Sequence, residues 1–166
     1  MIDGNRLVEA LSLPSHDKRV IELLKELGFK RPMKDENYDG VAIIYRDENE
    51  YFQIDFDEDI ETDKQKNNDY GIVDFYLNII SFRKNDIFTP PFGIEWSDGY
   101  EEVKAILDKK ADYKDSKRCK KTWILEDTEK KYILNIQFNL DYNSIKKITL
   151  LPFNSERKYT LEKNED

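Results

Sequence analysis

The sequence holds one cysteine and one histidine among 166 residues, and these scarcities exclude several kinds of chemistry. A single thiol, Cys119, cannot form an internal disulfide, so a reducing compartment is the simpler expectation. His16 has no second His or Cys near it to complete a zinc ligand set, and no Ser or Cys is placed to use it as a base. The six glycines form no phosphate-binding loop. We therefore predict no metal, no cofactor and no catalytic residue, although the many carboxylates leave a paired Asp or Glu site open.

Long hydrophobic runs and an excess of basic charge are also missing. No stretch approaches the length that spans a membrane, and MIDGNRLVEAL has neither a long apolar core nor a cleavage pattern. The chain has 27 Lys and Arg against 35 Asp and Glu, which gives a net charge of −8. An acidic chain does not favour nucleic acid or an anionic membrane as a partner. We expect a cytoplasmic protein that suits a basic partner, although acidity for solubility alone explains the same count.

The first half shows clear helix signals. Asp3 is positioned to cap a first helix, and Ser15 to cap a second, with Asp17 in its first turn. The second helix carries apolar residues at helical spacing, and Gly28 followed by Phe29 is typical of a Schellman end packed on Leu24. The apolar positions are Leu7, Val8 and Leu11 in the first helix and Val20, Leu23, Leu24 and Leu27 in the second.

Strand patterns follow these helices. Residues 31–39 are polar and predict a link, and Val41–Arg46 predicts a strand. Asp47–Glu50 is a turn that leads into Tyr51–Asp57, so these two strands form a hairpin. Residues 72–82 are apolar on both faces, which predicts a central strand. The core face of the second strand carries Phe52, Ile54 and Phe56.

The second half begins at the Pro-Pro-Phe-Gly break of residues 90–93. Asp98 and Glu101 fit a capping box before a helix that carries Tyr100, Val103, Ile106 and Leu107. Residues 108–120 predict a solvated connection. Three strands follow, and residues from Asn154 onward are expected to fray. The strands are Thr122–Glu126 with Trp123 and Leu125, Lys131–Leu140 with Tyr132, Leu134, Ile136, Phe138 and Leu140 on one face, and Ile145–Leu151.

These elements predict an α+β fold, with N-terminal helices and an antiparallel β-sheet that helices cover on one face. Helix followed by antiparallel strands occurs twice, over 15–82 and 98–151, which is weak evidence for a repeat. We predict one domain over residues 1–166, divisible into halves 1–88 and 89–153 with a charged tail over 154–166.

One surface of the first half combines aromatic and acidic groups. If Phe52, Ile54 and Phe56 face the core, the other side chains of that strand point outward, and the acidic run after it extends the patch. A partner-binding role and simple solvated charge both fit this patch. A metal site fits it less well, because the run lacks the Gly of a calcium loop. The candidate partner-binding residues are Tyr51, Gln53, Asp55, Asp57, Glu58, Asp59, Glu61 and Asp63.

Several motifs occur together in a defined order. The N-terminal motif is LPxxDxxVxxLLxxLG, on Leu13, Pro14, Asp17, Val20, Leu23, Leu24, Leu27 and Gly28. The later motifs are a PFG…W…EEVxxxL block, a Trp strand and a YxLxIxFxxDxxxIxxITLLP ending, on Pro91, Phe92, Gly93, Trp96, Glu101, Glu102, Val103, Leu107, Trp123, Phe138, Asp141 and Ile148 to Pro152. This order resembles a broad group of small bacterial immunity proteins that are encoded beside polymorphic toxins, including contact-dependent growth inhibition toxins.

The helix-and-sheet unit also looks like the repeat of β-lactamase-inhibitor-type proteins and small outer-membrane assembly lipoproteins, whose lipobox and paired cysteines this chain lacks. The resemblance to immunity proteins implies non-catalytic, stoichiometric binding of a cognate toxin domain, which would be a basic nuclease if charge is the guide. It implies no binding residues, because such proteins change their interface with each toxin. The alternatives are a regulatory or scaffolding interaction module and, behind it, a small carboxylate-dependent enzyme. The sequence leaves the oligomeric state open.

Overall fold

The two N-terminal helices begin at aspartate caps. The computed structural model of the protein describes residues 1–32, 42–58 and 75–163. Helix α1 spans Gly4–Ala10 and α2 spans Lys18–Glu26; Asp3 accepts from the Asn5 N–H, and Asp17 accepts from the Arg19 N–H. The prediction of Ser15 as the second cap is therefore wrong. Ser15 is buried, and its hydroxyl accepts a hydrogen bond from Arg31 Nε at 3.1 Å.

The end of α2 confirms the predicted Schellman motif. Gly28 has a left-handed φ of 77°, which costs a glycine little because it has no Cβ. The Phe29 N–H donates to the Leu24 carbonyl at 2.8 Å, which is the long hydrogen bond of this motif. Phe29 then stacks on Tyr45 with ring centroids 4.8 Å apart. The helix end thus fixes α2 against the first strand.

The structure describes seven strands, β1 Ile43–Arg46, β2 Phe52–Glu58, β3 Phe75–Arg83, β4 Tyr113–Asp115, β5 Lys120–Glu126, β6 Lys131–Phe138 and β7 Ile145–Pro152. They form one antiparallel sheet in the order β1-β2-β3-β7-β6-β5-β4, which confirms the α+β class. Strand β3 lies inside the sheet, as its apolar sequence predicted, because it pairs with β2 on one side and with β7 on the other.

One face of this sheet forms the core with α1, α2 and the helix Tyr100–Ile106. The predicted inward faces of β2, β5 and β6 are confirmed, since their apolar side chains are buried together with Leu7, Val20 and Leu24 of the helices. A single cluster of buried residues runs through both halves. The buried strand residues in question are Phe52, Ile54, Phe56, Trp123, Tyr132, Leu134, Ile136 and Phe138.

Helix α3, Tyr100–Ile106, starts one residue later than predicted. Gly99 is its N-cap, and Glu102 rather than Glu101 reaches back to accept the Gly99 N–H at 3.1 Å. A Cβ on Gly99 would lie 2.6 Å from the Tyr142 carbonyl oxygen, so the turn before β7 leaves room only for glycine. Val103 is buried on this helix as predicted, but Ile106 is 41% exposed, contrary to prediction.

Three further predictions for the second half are wrong. The connection over 108–120 contains β4 and a short 3-10 helix, Ser116–Arg118. Strand β6 ends at Phe138, where a bulge shifts the register, so Leu140 lies in the following turn at 85% exposure. The tail is not frayed from Asn154, because Ser155–Lys163 forms helix α4.

Some predictions lie outside the described residues. These are most of the 31–39 link, Val41 at the start of the first predicted strand, the first residues of the 72–82 strand, and the loop after Glu58. Among the helices of the described residues, none has the length and hydrophobicity that crossing a bilayer requires.

A helix followed by three strands occurs twice along the chain. The first set is α2-β1-β2-β3, and the second is α3-β5-β6-β7, with the short β4 added after α3. The two sets of strands pair with each other through their last strands, β3 and β7. The division into halves remains a prediction, because a shared sheet and core do not by themselves show a repeat.

Candidate protein-binding site

The face of the sheet opposite the core carries a row of polar side chains across all seven strands. The cross-strand register aligns one residue from each strand, and three hydrogen bonds connect neighbours within the row. Arg46 Nε donates to Gln53 Oε1 at 3.0 Å, Thr149 Oγ1 to Ser81 Oγ at 3.2 Å, and Thr122 Oγ1 to Asn135 Oδ1 at 2.6 Å. We call the whole face of the sheet opposite the core the open face. The row consists of Arg46, Gln53, Ser81, Thr149, Asn135, Thr122 and Tyr113.

Helix α4 lies on the open face over the second half. Leu161 and Thr160 line a small recess with Ile133, Asn135 and Leu151 of β6 and β7. Arg157 fixes the helix, since its Nη1 donates to the Pro152 carbonyl at 2.6 Å and its Nη2 donates to Asn78 Oδ1 at 2.8 Å. Apolar side chains on this part of the open face are therefore shielded by the chain's own helix.

Over the first half the open face forms a groove of about 330 Å³. No helix or strand of the described residues lies across it. Its walls come from β1, the β1–β2 turn, β2, β3 and β7, and they combine a phenol, an amide, two hydroxyls, two carboxylates and three cations. These groups belong to Tyr51, Gln53, Ser81, Thr149, Glu50, Asp55, Arg46, Arg83 and Lys147.

The structure brings three of the eight predicted partner-binding residues into this groove. Tyr51 is 43% exposed, Gln53 is half-buried, and Asp55 is only 7% exposed. Asp55 does point away from the core as predicted, but its carboxylate is engaged by Gln53 Nε2 at 2.9 and 3.1 Å. The expectation that Asp55 is exposed is therefore wrong.

The remaining predicted residues are further along the chain. Asp57 and Glu58 complete β2 and are half-buried, and the Asp57 carboxylate accepts a hydrogen bond from Asn78. The last three candidates, Asp59, Glu61 and Asp63, lie outside the described residues.

Burial controls the electrostatics of Asp55. Loss of solvent around the carboxylate raises its pKa, and the charge of Asp57 raises it further. The hydrogen bond from Gln53 and the charge of Arg46 lower it, but the net effect is a raised pKa. Asp55 is thus a shielded carboxylate, poorly placed to form a long-range attraction.

Four residues of this surface were missed by sequence reasoning. Ile44 lies opposite Asp55 in the register and is 42% exposed, a position that alternation within β1 could have indicated. Arg46 is the next outward residue on the same strand. Arg83 and Lys147 are brought together by the pairing of β3 with β7, and nothing local in the sequence signals that pairing.

Within residues 1–32, 42–58 and 75–163, no three His, Cys, Asp or Glu side chains are grouped in a way that could hold a metal ion. Cys119 is buried at the start of β5. The groups on the open face can form hydrogen bonds, charge pairs and apolar contacts.

Comparison with known proteins gives no relative: no family model, no curated protein and no solved structure matches this chain.

Proposed function

We propose that this chain is an immunity protein, which binds a cognate bacterial toxin domain and neutralises it stoichiometrically without catalysis. The observation that carries the proposal is the first half of the open face, which no helix or strand of residues 1–32, 42–58 and 75–163 covers. There Ile44 and Tyr51, both about two-fifths exposed, lie on the same strand pair as the polar residues Arg46, Gln53 and Asp55.

The composition of this surface suits a protein partner. Interfaces gain most of their affinity from a few aromatic, Arg and aliphatic anchors that are surrounded by polar groups. Tyr51 and Ile44 supply apolar area at both ends of the surface, and Arg46 and Gln53 supply hydrogen-bonding groups between them. The strands hold these side chains on a rigid sheet, which reduces the entropy lost on binding.

Charge supports a basic toxin, for which a nuclease is the natural candidate. The net charge of −8 would steer a cationic partner towards the protein and raise the association rate. The motif order that resembles immunity proteins supports the same function. Steering would come from the net charge of the whole chain, because Asp55 within the groove is shielded.

The first test is stoichiometry. The protein would be co-expressed with the toxin domain encoded beside it. The complex would then be purified, and its molar mass would be measured by light scattering. We expect a complex with one inhibitor per toxin, and we expect protection to reach a plateau at that ratio. Protection at strongly substoichiometric inhibitor would show turnover, and failure to form any complex would reject the toxin partner.

The second test locates the surface with variants matched in exposure. Tyr51→Ala and Ile44→Ala should each weaken toxin affinity, together by more than tenfold, which corresponds to about 1.4 kcal/mol or more. Ile21→Ala and Ile106→Ala remove equally exposed apolar side chains from α2 and α3 and should leave affinity unchanged. If the helix variants weaken binding and the strand variants do not, the toxin docks on the helical side.

A further inference from the structure

Two cations stand side by side on the open face. Arg83 of β3 and Lys147 of β7 are directly opposite each other in the antiparallel register. Directly opposed residues have Cβ atoms about 4.5–5.5 Å apart, and like charges at such positions repel. Within the described parts of the chain, no carboxylate forms an ion pair with either residue.

This pair lines an open recess, in which Lys147 is half-buried and Arg83 is exposed. Both residues line the 330 Å³ groove, together with Tyr51 and the hydroxyls of Ser81 and Thr149. Tyr51 is held beside Arg83, because the Arg83 N–H donates to the Tyr51 carbonyl at 2.8 Å. Burial lowers the pKa of Lys147, and the charge of Arg83 lowers it further. The folded chain therefore keeps a partly desolvated cation next to another cation.

The carboxylates of the groove do not neutralise this pair. The Asp55 carboxylate accepts a hydrogen bond from Gln53, and the positive charge that lowers its pKa is that of Arg46. Glu50 lies in the β1–β2 turn and makes no ion pair among the described residues. Among the described residues, the Arg83 and Lys147 pair in this groove therefore has no carboxylate partner.

We propose that this recess is a binding site for a compact oxyanion, a carboxylate or a phosphate, with Arg83 and Lys147 as its charged ligands. The guanidinium offers a planar fork that matches two oxygens, and the ammonium offers a point charge beside it. A bound anion would remove the repulsion between the cations, so binding would stabilise the fold. Such an anion could arrive as a free small molecule or as an acidic side chain of a partner protein. The site does not depend on that partner being a toxin.

The experiment measures thermal unfolding of the full chain with inorganic phosphate, glutarate or a hexaglutamate peptide, each against sodium chloride at equal ionic strength. We expect at least one of these anions to raise Tm above the chloride value. The variant R83Q/K147Q should lose that rise, with an apparent affinity lower by about tenfold or more. The matched variant K84Q/K146Q removes two exposed lysines that are the chain neighbours of the pair, and it should keep the rise.

The same variants exclude a purely structural role. Since R83Q/K147Q removes a repulsion, it should unfold in chloride at a temperature no lower than the unsubstituted protein. Amide resonances of Ser81, Arg83 and Lys147 should shift on adding the stabilising anion to the unsubstituted protein, which tests the site even if a variant folds poorly.

The outcomes test whether the anion site exists and whether its anion is a free molecule or part of a protein. A Tm rise with phosphate or glutarate supports a free anion, and a rise with hexaglutamate alone supports an acidic segment of a protein. The proposal is overturned if no anion exceeds chloride, or if K84Q/K146Q loses the rise as fully as R83Q/K147Q does.

Discussion

The two halves of the open face differ in what lies over them. Over β6 and β7 of the second half, α4 is held by Arg157 and places Leu161 against Ile133 and Leu151. Over β2 and β3 of the first half, no helix or strand of the described residues lies across the groove, and Tyr51 in the groove and Ile44 on the adjoining β1 remain exposed. The strands beneath are parts of one sheet, and one polar row crosses both halves.

This difference shows how a single sheet can serve two purposes. Apolar side chains left in water on a sheet face favour association, and covering them with a helix removes that tendency. The second half is covered by the chain's own tail, so its open face contributes to stability. In the part of the chain that the structure describes, no helix covers the exposed apolar groups and the cations of the first half, which is why our proposals concern this half and the neighbouring strand β7, which carries Lys147.

The largest expected effect tests whether the two halves share one core. Ile54 and Leu134 are fully buried on β2 and β6, on the face that the helices cover. Replacing either with Ala removes buried methyl groups and leaves a cavity, so each should lower the free energy of unfolding by about 2–5 kcal/mol. Urea denaturation followed by both Trp fluorescence and circular dichroism would measure this loss.

The shape of the transition sharpens the comparison. We expect one transition in each variant, with both signals coincident, because a single buried cluster spans the halves. Two separated transitions, with only one of them moved by Ile54→Ala, would show that the halves unfold as independent units. A loss below about half a kcal/mol would mean that the substituted residue does not lie in a packed core.

A smaller effect should follow from loosening α4. Arg157→Ala removes two hydrogen bonds from a charged donor and leaves the Pro152 carbonyl and Asn78 to find other partners. We expect a loss of about 1–3 kcal/mol in the free energy of unfolding, together with stronger binding of a hydrophobic dye as Ile133 and Leu151 become exposed. Chemical denaturation and dye fluorescence measure the two effects.

The neighbouring Lys158 provides the control. Its ion pair with Glu162 lies at the surface of the same helix, where such pairs contribute at most about 0.5 kcal/mol. Lys158→Ala should therefore change stability little and should leave dye binding unchanged. Equal losses in the two variants would mean that helix propensity, rather than docking by Arg157, holds the tail in place.

Local patterns in the sequence predicted the parts of the fold that local physics controls. The Schellman end at Gly28 and Phe29 depends on residues adjacent in the chain, and so does the alternation of Phe52, Ile54 and Phe56. By contrast, α4 has little apolar periodicity, since Leu161 is its one aliphatic residue, so its composition resembled that of a solvated tail.

The groove could not be predicted, because it arises from long-range register. Arg83 and Lys147 are ordinary charged residues in the sequence, and only the β3–β7 pairing places them together. Asp55 shows the converse: its outward direction followed from alternation, but its burial depends on how Gln53 and the neighbouring strands surround it. The face of the sheet to which a side chain points depends on local alternation along the strand, whereas its solvent exposure depends on the rest of the molecule.

The smallest expected effect concerns that buried carboxylate. Burial raises the pKa of Asp55 in the folded chain above its unfolded value, so the folded protein holds this proton more tightly than the unfolded chain does. The stability contributed by protonated Asp55 is fully present below the unfolded pKa, about 3.9, and is lost as pH rises through the folded pKa. Near neutral pH, the ionised group therefore opposes folding.

Asp55→Asn should remove this penalty while its side-chain oxygen still accepts a hydrogen bond from Gln53. We expect the variant to be more stable than the unsubstituted protein at neutral pH, by up to about 1 kcal/mol, and the gain should vanish well below the unfolded pKa, where Asp55 is neutral in both states. Denaturation across this pH range measures the gain, with Asp141→Asn in the exposed turn after β6 as the control. If Asp55→Asn is instead less stable at neutral pH, then attraction by Arg46 and the Gln53 hydrogen bond outweigh burial, and the first half of the open face uses Asp55 as a charged structural group.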